Sequence, residues 1–255
     1  MADSMQVFDR RAVRAHRDRI AANFAAHDFL FAEVADRLAD RLSDIGRDFP
    51  VSLALGARGA GKATITADLS PALLAAIDGS RIACDEEALP FAEASLDLVV
   101  SCLTLHWVND LPGALVQIRR ALKPGGLFLA AMFGGDTLIE LRRAFLEAEA
   151  VEEGGASPRT SPMVEIADAS ALMQRAGFHE PVTDCDTITA TFSDTLALMR
   201  DIKAMGEANA ALMRRKNFTR RATLVAATEC YAALYADDGG RIPATFQIVF
   251  LTGWA

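Results

Sequence analysis

The chain has 255 residues, 51% of them apolar and 24% charged, with a formal net charge of −8. That length allows one large domain or two small ones with a sizeable core, and that charged share excludes wholesale disorder. The acidic balance excludes a nucleic-acid binder, which carries a basic surplus, and the longest apolar run, around Leu127 to Gly135, is about nine residues, short of the ~20 of a membrane helix.

Of the 26 basic residues 22 are Arg, which with the abundant Ala fits the coding bias of a GC-rich bacterium. The four cysteines (Cys84, Cys102, Cys185, Cys230) form no C-x-x-C, so neither a disulfide framework nor a metal site is expected. The N-terminus lacks the apolar segment of a secretory signal, and Asp3, Asp9 and Asp18 interrupt what would otherwise be an Arg-rich transit peptide. A mature cytoplasmic protein is expected.

In chain order, the first fifty residues are predicted helical. Phe31, Val34, Ala35, Leu38, Leu42 and Ile45 form one stripe, and Arg10, Arg11, Arg14, Arg17 and Arg19 precede it. Those arginines are a solvated helix face or, in the sharper reading, a contact for a partner or an acidic membrane surface. Strands follow at 51–55, 64–68, 81–84, 96–102 and 126–133. A helix from Asp110, with Pro112 in its first turn and Lys123-Pro124-Gly125-Gly126 as its stop, joins the last two. Apolar strands alternating with helices predict a mostly parallel α/β sheet. Further helices are expected over 136–149, 165–176 and 194–236, around a Gly- and Pro-rich loop at 152–162. The remaining strands are 181–192 and 245–254.

The segment LALGARGAGKA (53–63) admits three readings. Gly56-x4-Gly61-Lys62 fits a phosphate-binding loop, but Ala63 stands where Ser or Thr must hold Mg²⁺. A dinucleotide turn needs a third Gly and an acid about 20 residues on, and Asp68 comes too early. The third reading is an S-adenosylmethionine (SAM) site. There a glycine turn follows strand 1 and carboxylates at the ends of strands 2 and 3 accept paired hydrogen bonds. Asp68, and then Asp85 with Glu86, stand in those places. His106 and Trp107 after strand 4 are either a cleft-lining pair, with His106 a base, or a core Trp and a capping His.

The stretch DEEALPFAEASLDLVVSCLTLHWVNDLPGALVQIRRALKPGG (85–126) resembles the methyltransferase type 11 group, which includes the biotin-pathway carboxyl methyltransferase. The segments VFDRRAVRAHRDR (7–19), AAMFGGDTLIELRRAF (130–145), EGGASPRTSP (153–162), LMQRAGF (172–178), MRDIKAMGEANA (199–210) and IPATFQIVFLTGW (242–254) resemble the arginine-hydroxylase assembly factor family of respiratory complex I and its bacterial relatives.

The resemblance implies a Rossmann-like class I SAM-methyltransferase fold: a mostly parallel seven-stranded sheet with helices on both faces. It implies one domain, with N-terminal helices (1–48), a cofactor-binding core (49–150), and a helical insert and last strands (151–255). It places SAM contacts at Gly56, Gly59, Asp68, Asp85, Glu86, Ser101 and Cys102, and implies a protein substrate, an iron–sulfur subunit of complex I, modified at arginine. An O-methyltransferase of a small acid or carrier-protein thioester is the alternative, and a non-catalytic chaperone on the same fold a third. Two departures stand out. The family's motif begins with an Asp, where this chain has Ala54. About eight residues separate Gly59 from Asp68, too few for the usual crossover helix, so strand 2 is displaced or the loop runs extended. The basic run Arg214-Arg215-Lys216 with Arg220 and Arg221 is predicted on the helical insert, as a solvated face or a docking surface for an acidic partner.

Overall fold

The computed structural model describes residues 6–59, 61–163 and 166–255. Residues 1–5 of the N-terminal segment, residue 60 of the glycine turn and residue 165, where a helix is expected to begin, lie outside the described residues.

Two helices lead, α1 (Arg10–Ile20) and α2 (Phe29–Asp44). The sheet strands are β1 (Ser52–Leu55), β2 (Ile65–Asp68), β3 (Ser80–Ala83), β4 (Leu96–Cys102), β5 (Leu122–Phe133), β6 (His179–Phe192) and β7 (Ile242–Trp254). They lie in the order β3-β2-β1-β4-β5-β7-β6, and β7 runs antiparallel to both its neighbours. From β1 the chain first builds outward through β2 and β3, then crosses back to add β4 and β5. The order reverses between β1 and β4, so their carboxyl ends flank the crevice where open α/β sheets bind ligands.

Alternation along β5 explains the three layers. Leu127, Leu129, Ala131 and Phe133 face the core beneath α2, α5 (Ile139–Glu152) and α8 (Arg221–Tyr235). Phe128, Ala130 and Met132 face the opposite core, with α4 (Leu111–Ala121) and α6 (Ile166–Arg175). Asp110 caps α4 as expected, accepting from the Gly113 amide at 2.9 Å, and Pro112 lies in the first turn.

The structure decides one alternative and corrects two expectations. First, β2 is not displaced: it pairs directly with β1, Leu53 opposite Ile65 and Leu55 opposite Ala67, so the short path between them is the alternative that holds. The connection carries no helix among its described residues. It needs to retrace only about four strand residues, roughly 13 Å, and nine extended residues reach about twice that. Thr64 pins the return, donating to the Ser52 carbonyl and accepting from its amide, both at 2.8 Å. Second, 194–236 is not continuously helical. After α7 (Thr195–Ala204), Gly206 adopts φ +82, and the Glu207 amide reaches back to the Ile202 carbonyl, a left-handed stop. Residues 205–220 are irregular, so the basic run at 214–220 lies on a loop rather than a helix. Third, the helix expected at 136 begins at Ile139, because Leu138 is left-handed (φ +56) and Asp136 and Thr137 are tied to Gln247. A short helix α3 (Pro71–Leu74), capped by Ser70, follows β2.

Candidate functional site

The site forms where the segments leaving β1 and β4 meet. Gly56 stands at φ +105, and a Cβ there would lie 2.2 Å from Thr104 Oγ1. Gly59 stands at φ +72, and a Cβ there would lie 2.8 Å from Cys102 Sγ. Both conformations favour glycine, and both positions leave no room for a side chain. The turn therefore closes onto the end of β4. Ser101 and Cys102 are the last residues of that strand rather than a segment after it. Both are buried, the Ser101 hydroxyl has no hydrogen-bond partner, and burial pushes the Cys102 thiol up to about 12.

The structure brings the predicted carboxylates together. Asp68 ends β2, fully buried, and accepts from the Ala57 amide (2.8 Å) and the Ser70 amide (2.7 Å). Asp85 and Glu86 follow β3. What the sequence reading did not foresee is their partners. Arg17 of α1 is fully buried, and its Nη1 donates to Glu86 Oε1 at 2.6 Å and to Asp68 Oδ1 at 3.2 Å. Arg10 donates to Asp85 Oδ1 at 2.6 Å and to Glu86 Oε2. Burial alone would push the Glu86 carboxyl up, but the charges of Arg17 and Arg10 outweigh it and hold Glu86 at about 2. Arg10 and Arg17 thus form neither a solvated face nor a surface patch. With Val13 and Ile20 they make a stripe at i, i+3, i+7 and i+10 that faces inward. That spacing was the available signal. Arg11, Arg14 and Arg19 are the exposed remainder.

A second ion pair adjoins the first. Arg58, from the glycine turn, is fully buried, donates to Glu207 Oε1 at 2.5 Å and to the Met205 carbonyl at 2.8 Å, and lies 4.5 Å from the Phe31 ring centre. Glu207 Oε2 lies 3.0 Å from His106 Nε2 and accepts from Trp107 Nε1 at 2.9 Å. Burial again opposes its charge, and Arg58 and His106 hold it at about 2. A carboxylate only accepts, so His106 Nε2 carries a proton. Burial pulls the His106 pKa below its ordinary value, against the pull of Glu207. The imidazole is then neutral at pH 7, with Nδ1 buried and without a partner. His106 and Trp107 are therefore core residues bound to Glu207.

Glu207 also lines a cavity of about 240 Å³ between α5, α7 and the 159–163 segment, walled by Leu141, Met163, Met199 and Ile202 with Lys203 at its rim. A larger cavity of about 540 Å³ lies across the same segment, at Val7, Arg142, Leu146, Arg159 and Met213. Among the described residues no three His, Cys, Asp or Glu stand close enough to hold a metal ion.

The sheet order, the glycine turn and the strand-end carboxylates define a protein of the class I SAM-methyltransferase fold. A putative methyltransferase from Bacillus halodurans superposes over 85% of this chain and 97% of its own, with a TM-score of 0.55 at 14% identity. Residues 49–130 match the family described as a methyltransferase domain. The "Arginine-hydroxylase NDUFAF5, mitochondrial" of Danio rerio is 38% identical over 98% of this chain and 83% of its own length. The "Malonyl-[acyl-carrier protein] O-methyltransferase" of Xylella fastidiosa is 34% identical over 98% and 89%. The chain belongs to the methyltransferase-domain family that holds these arginine hydroxylases and carrier-protein O-methyltransferases.

Proposed function

We propose that this chain is a SAM-binding enzyme that acts in the assembly of respiratory complex I by modifying an arginine of a protein substrate, an iron–sulfur subunit of that complex. The observation that carries this reading is the full-length similarity to the arginine hydroxylases, 38% over 98% of the chain. The cofactor contacts would come from Gly56, Gly59, Asp68, Asp85, Glu86, Ser101 and Cys102. The donor set suits the ribose and adenine of SAM, because carboxylates at strand ends accept paired hydroxyl bonds. The space does not: Asp68 and Glu86 are fully buried, and arginines and backbone amides occupy their oxygens.

A second reading is O-methylation of a carrier-protein thioester, favoured by the Xylella fastidiosa relative and by the apolar 240 Å³ cavity beside Glu207, which suits a short acyl chain. The third, a non-catalytic chaperone, is favoured by Ala54 and the short β1–β2 loop. Incubating the protein with SAM, the iron–sulfur subunit, dioxygen and a reductant, followed by mass spectrometry of its arginines, separates them. A gain of one oxygen supports hydroxylation, a gain of one methylene means methyl transfer to protein, and no change on a co-purifying subunit leaves the chaperone. Labelled methyl on a carrier-protein thioester would favour the second reading.

The whole chain is taken as one domain of a bacterial protein of the cytoplasm that works at the inner-membrane surface. The Arg-rich composition supports the bacterial source. Exposed Phe218, beside exposed Lys216, Arg220 and Arg221, supports contact with an acidic surface. No helix of the described residues is long and apolar enough to cross a membrane.

A further inference from the structure

We propose that α1 is a strap that competes with the cofactor for the same carboxylates, so that SAM binds only when Arg10 and Arg17 withdraw. The proposal rests on the cofactor reading above and explains why the right residues are present without room for the ligand.

The strap pairs with every predicted acid and buries Asp68 and Glu86. Arg17 takes one oxygen each of Asp68 and Glu86, and Arg10 takes Asp85 and the second oxygen of Glu86. A ribose diol seeks those same oxygens, and with Asp68 and Glu86 fully buried beneath the two arginines it has no path to them.

The strap is also imperfectly seated. Arg17 is fully buried, yet its Nε and Nη2 have no hydrogen-bond partner. Each buried donor left unmade costs about 1–3 kcal/mol. A buried ion pair adds little net stability even when well formed. Val13 and Ile20 seat α1 on small apolar clusters, and the two unmatched donors leave the Arg17 contact displaceable by a ligand that satisfies the carboxylates better.

Its anchors couple it to the rest of the site. Asp9 caps α1 and pairs with Arg214 at 3.1 Å. The Asp9 amide donates to the Ala210 carbonyl, and the Leu212 amide donates to the Val7 carbonyl. Val7 and Phe8 both donate to Asn109 Oδ1. Withdrawal of α1 therefore pulls on the 207–214 segment, which carries Glu207 and walls the 240 Å³ cavity. Cofactor binding and access to that cavity move together.

The test compares S-adenosylhomocysteine binding by calorimetry in the wild-type chain and in an Arg10→Gln, Arg17→Gln double variant, with amide hydrogen exchange on the wild type. If the strapped state holds nine-tenths of the population, removing it tightens apparent binding about tenfold. The expected results are that gain, and faster exchange across residues 10–20 when the wild type is saturated. Equal or weaker binding in a folded double variant overturns the strap and leaves the cofactor reading intact. Absence of binding in both proteins at millimolar ligand overturns the cofactor reading, and the strap with it. If the double variant does not unfold cooperatively, the wild-type exchange decides. Unchanged or slowed exchange in 10–20 on saturation overturns the proposal.

Discussion

Glu207→Ala removes the carboxylate that joins the glycine turn to the 205–214 segment. The side chain is 6% exposed and its partner Arg58 is fully buried. After the change Arg58 keeps only the Met205 carbonyl at 2.8 Å and a long contact to the Leu103 carbonyl, while Trp107 Nε1 loses its acceptor. Breaking a buried pair from one side costs about 3–5 kcal/mol, because the surviving charge is desolvated and uncompensated. We take about 4 kcal/mol, roughly a thousandfold in the folding constant, against the ~5–15 kcal/mol total of a typical domain. Urea unfolding followed by circular dichroism measures it through the midpoint at constant slope. The double variant Arg58→Met, Glu207→Leu removes both charges while keeping volume; Trp107 Nε1 and His106 Nε2 still lose their acceptor, so it is expected to be destabilised, but by less than the sum of its singles. A Glu207→Ala loss below about 1 kcal/mol, or a double variant as unstable as the sum of its singles, would refute the reasoning.

Acid should unfold the protein over a defined window. Glu86 and Glu207 ordinarily titrate near 4.5 and are held at about 2 here. Their folded pKa values are depressed, so their stabilisation is complete above about 4.5 and is lost as pH falls towards 2. Urea midpoints should hold from pH 7 to 5 and drop steeply between 4.5 and 2.5, and a flat profile there would count against the pairs. Gly56→Ala forces a Cβ to 2.2 Å from Thr104 Oγ1 at φ +105 and should cost about 2–4 kcal/mol. Gly61→Ala, whose Cβ meets nothing, should cost only about 1–2 kcal/mol of left-handed strain. The two melting curves are compared directly, and equal shifts would contradict the closed turn. Cys102, buried with its thiol pushed up to about 12, should resist thiol reagents at pH 8 until urea unfolds the chain. Labelling of Cys102 in the native protein would show that the crevice is open.

The sheet was legible because its strands are local apolar runs whose character does not depend on distant partners. LDLVVSC and GLFLAAMF became β4 and the end of β5, and the cap at Asp110 held. The carboxylates were legible as strand ends. Their partners were not, because the burial of a charge is decided by residues far along the chain: Arg17 meets Asp68 across 51 positions and Glu86 across 69. A basic helix start reads as solvated unless its arginines are checked against the apolar stripe beside them. Glu207 escaped for the same reason. It meets His106 across 101 positions, and nothing near it in sequence distinguishes it from a surface glutamate.

Three elements meet at the ends of β1 and β4: the glycine turn, α1 and the 205–214 segment. Each is tied to another by a charge pair: Arg58 of the turn to Glu207, Arg214 of the segment to Asp9, and Arg10 and Arg17 of α1 to the strand-end acids. In an ordinary crossover a helix between β1 and β2 would cover that face with apolar area, at about 25 cal/mol per Å². The described residues of this connection carry no helix, and ion pairs share the joining with two small apolar clusters. Buried pairs roughly balance Coulomb gain against desolvation, so they fix which groups meet while adding little net stability. The short loop and the inward arginines are then two parts of one arrangement, in which the crevice between β1 and β4 is closed by charge together with the apolar contacts of Val13 and Ile20.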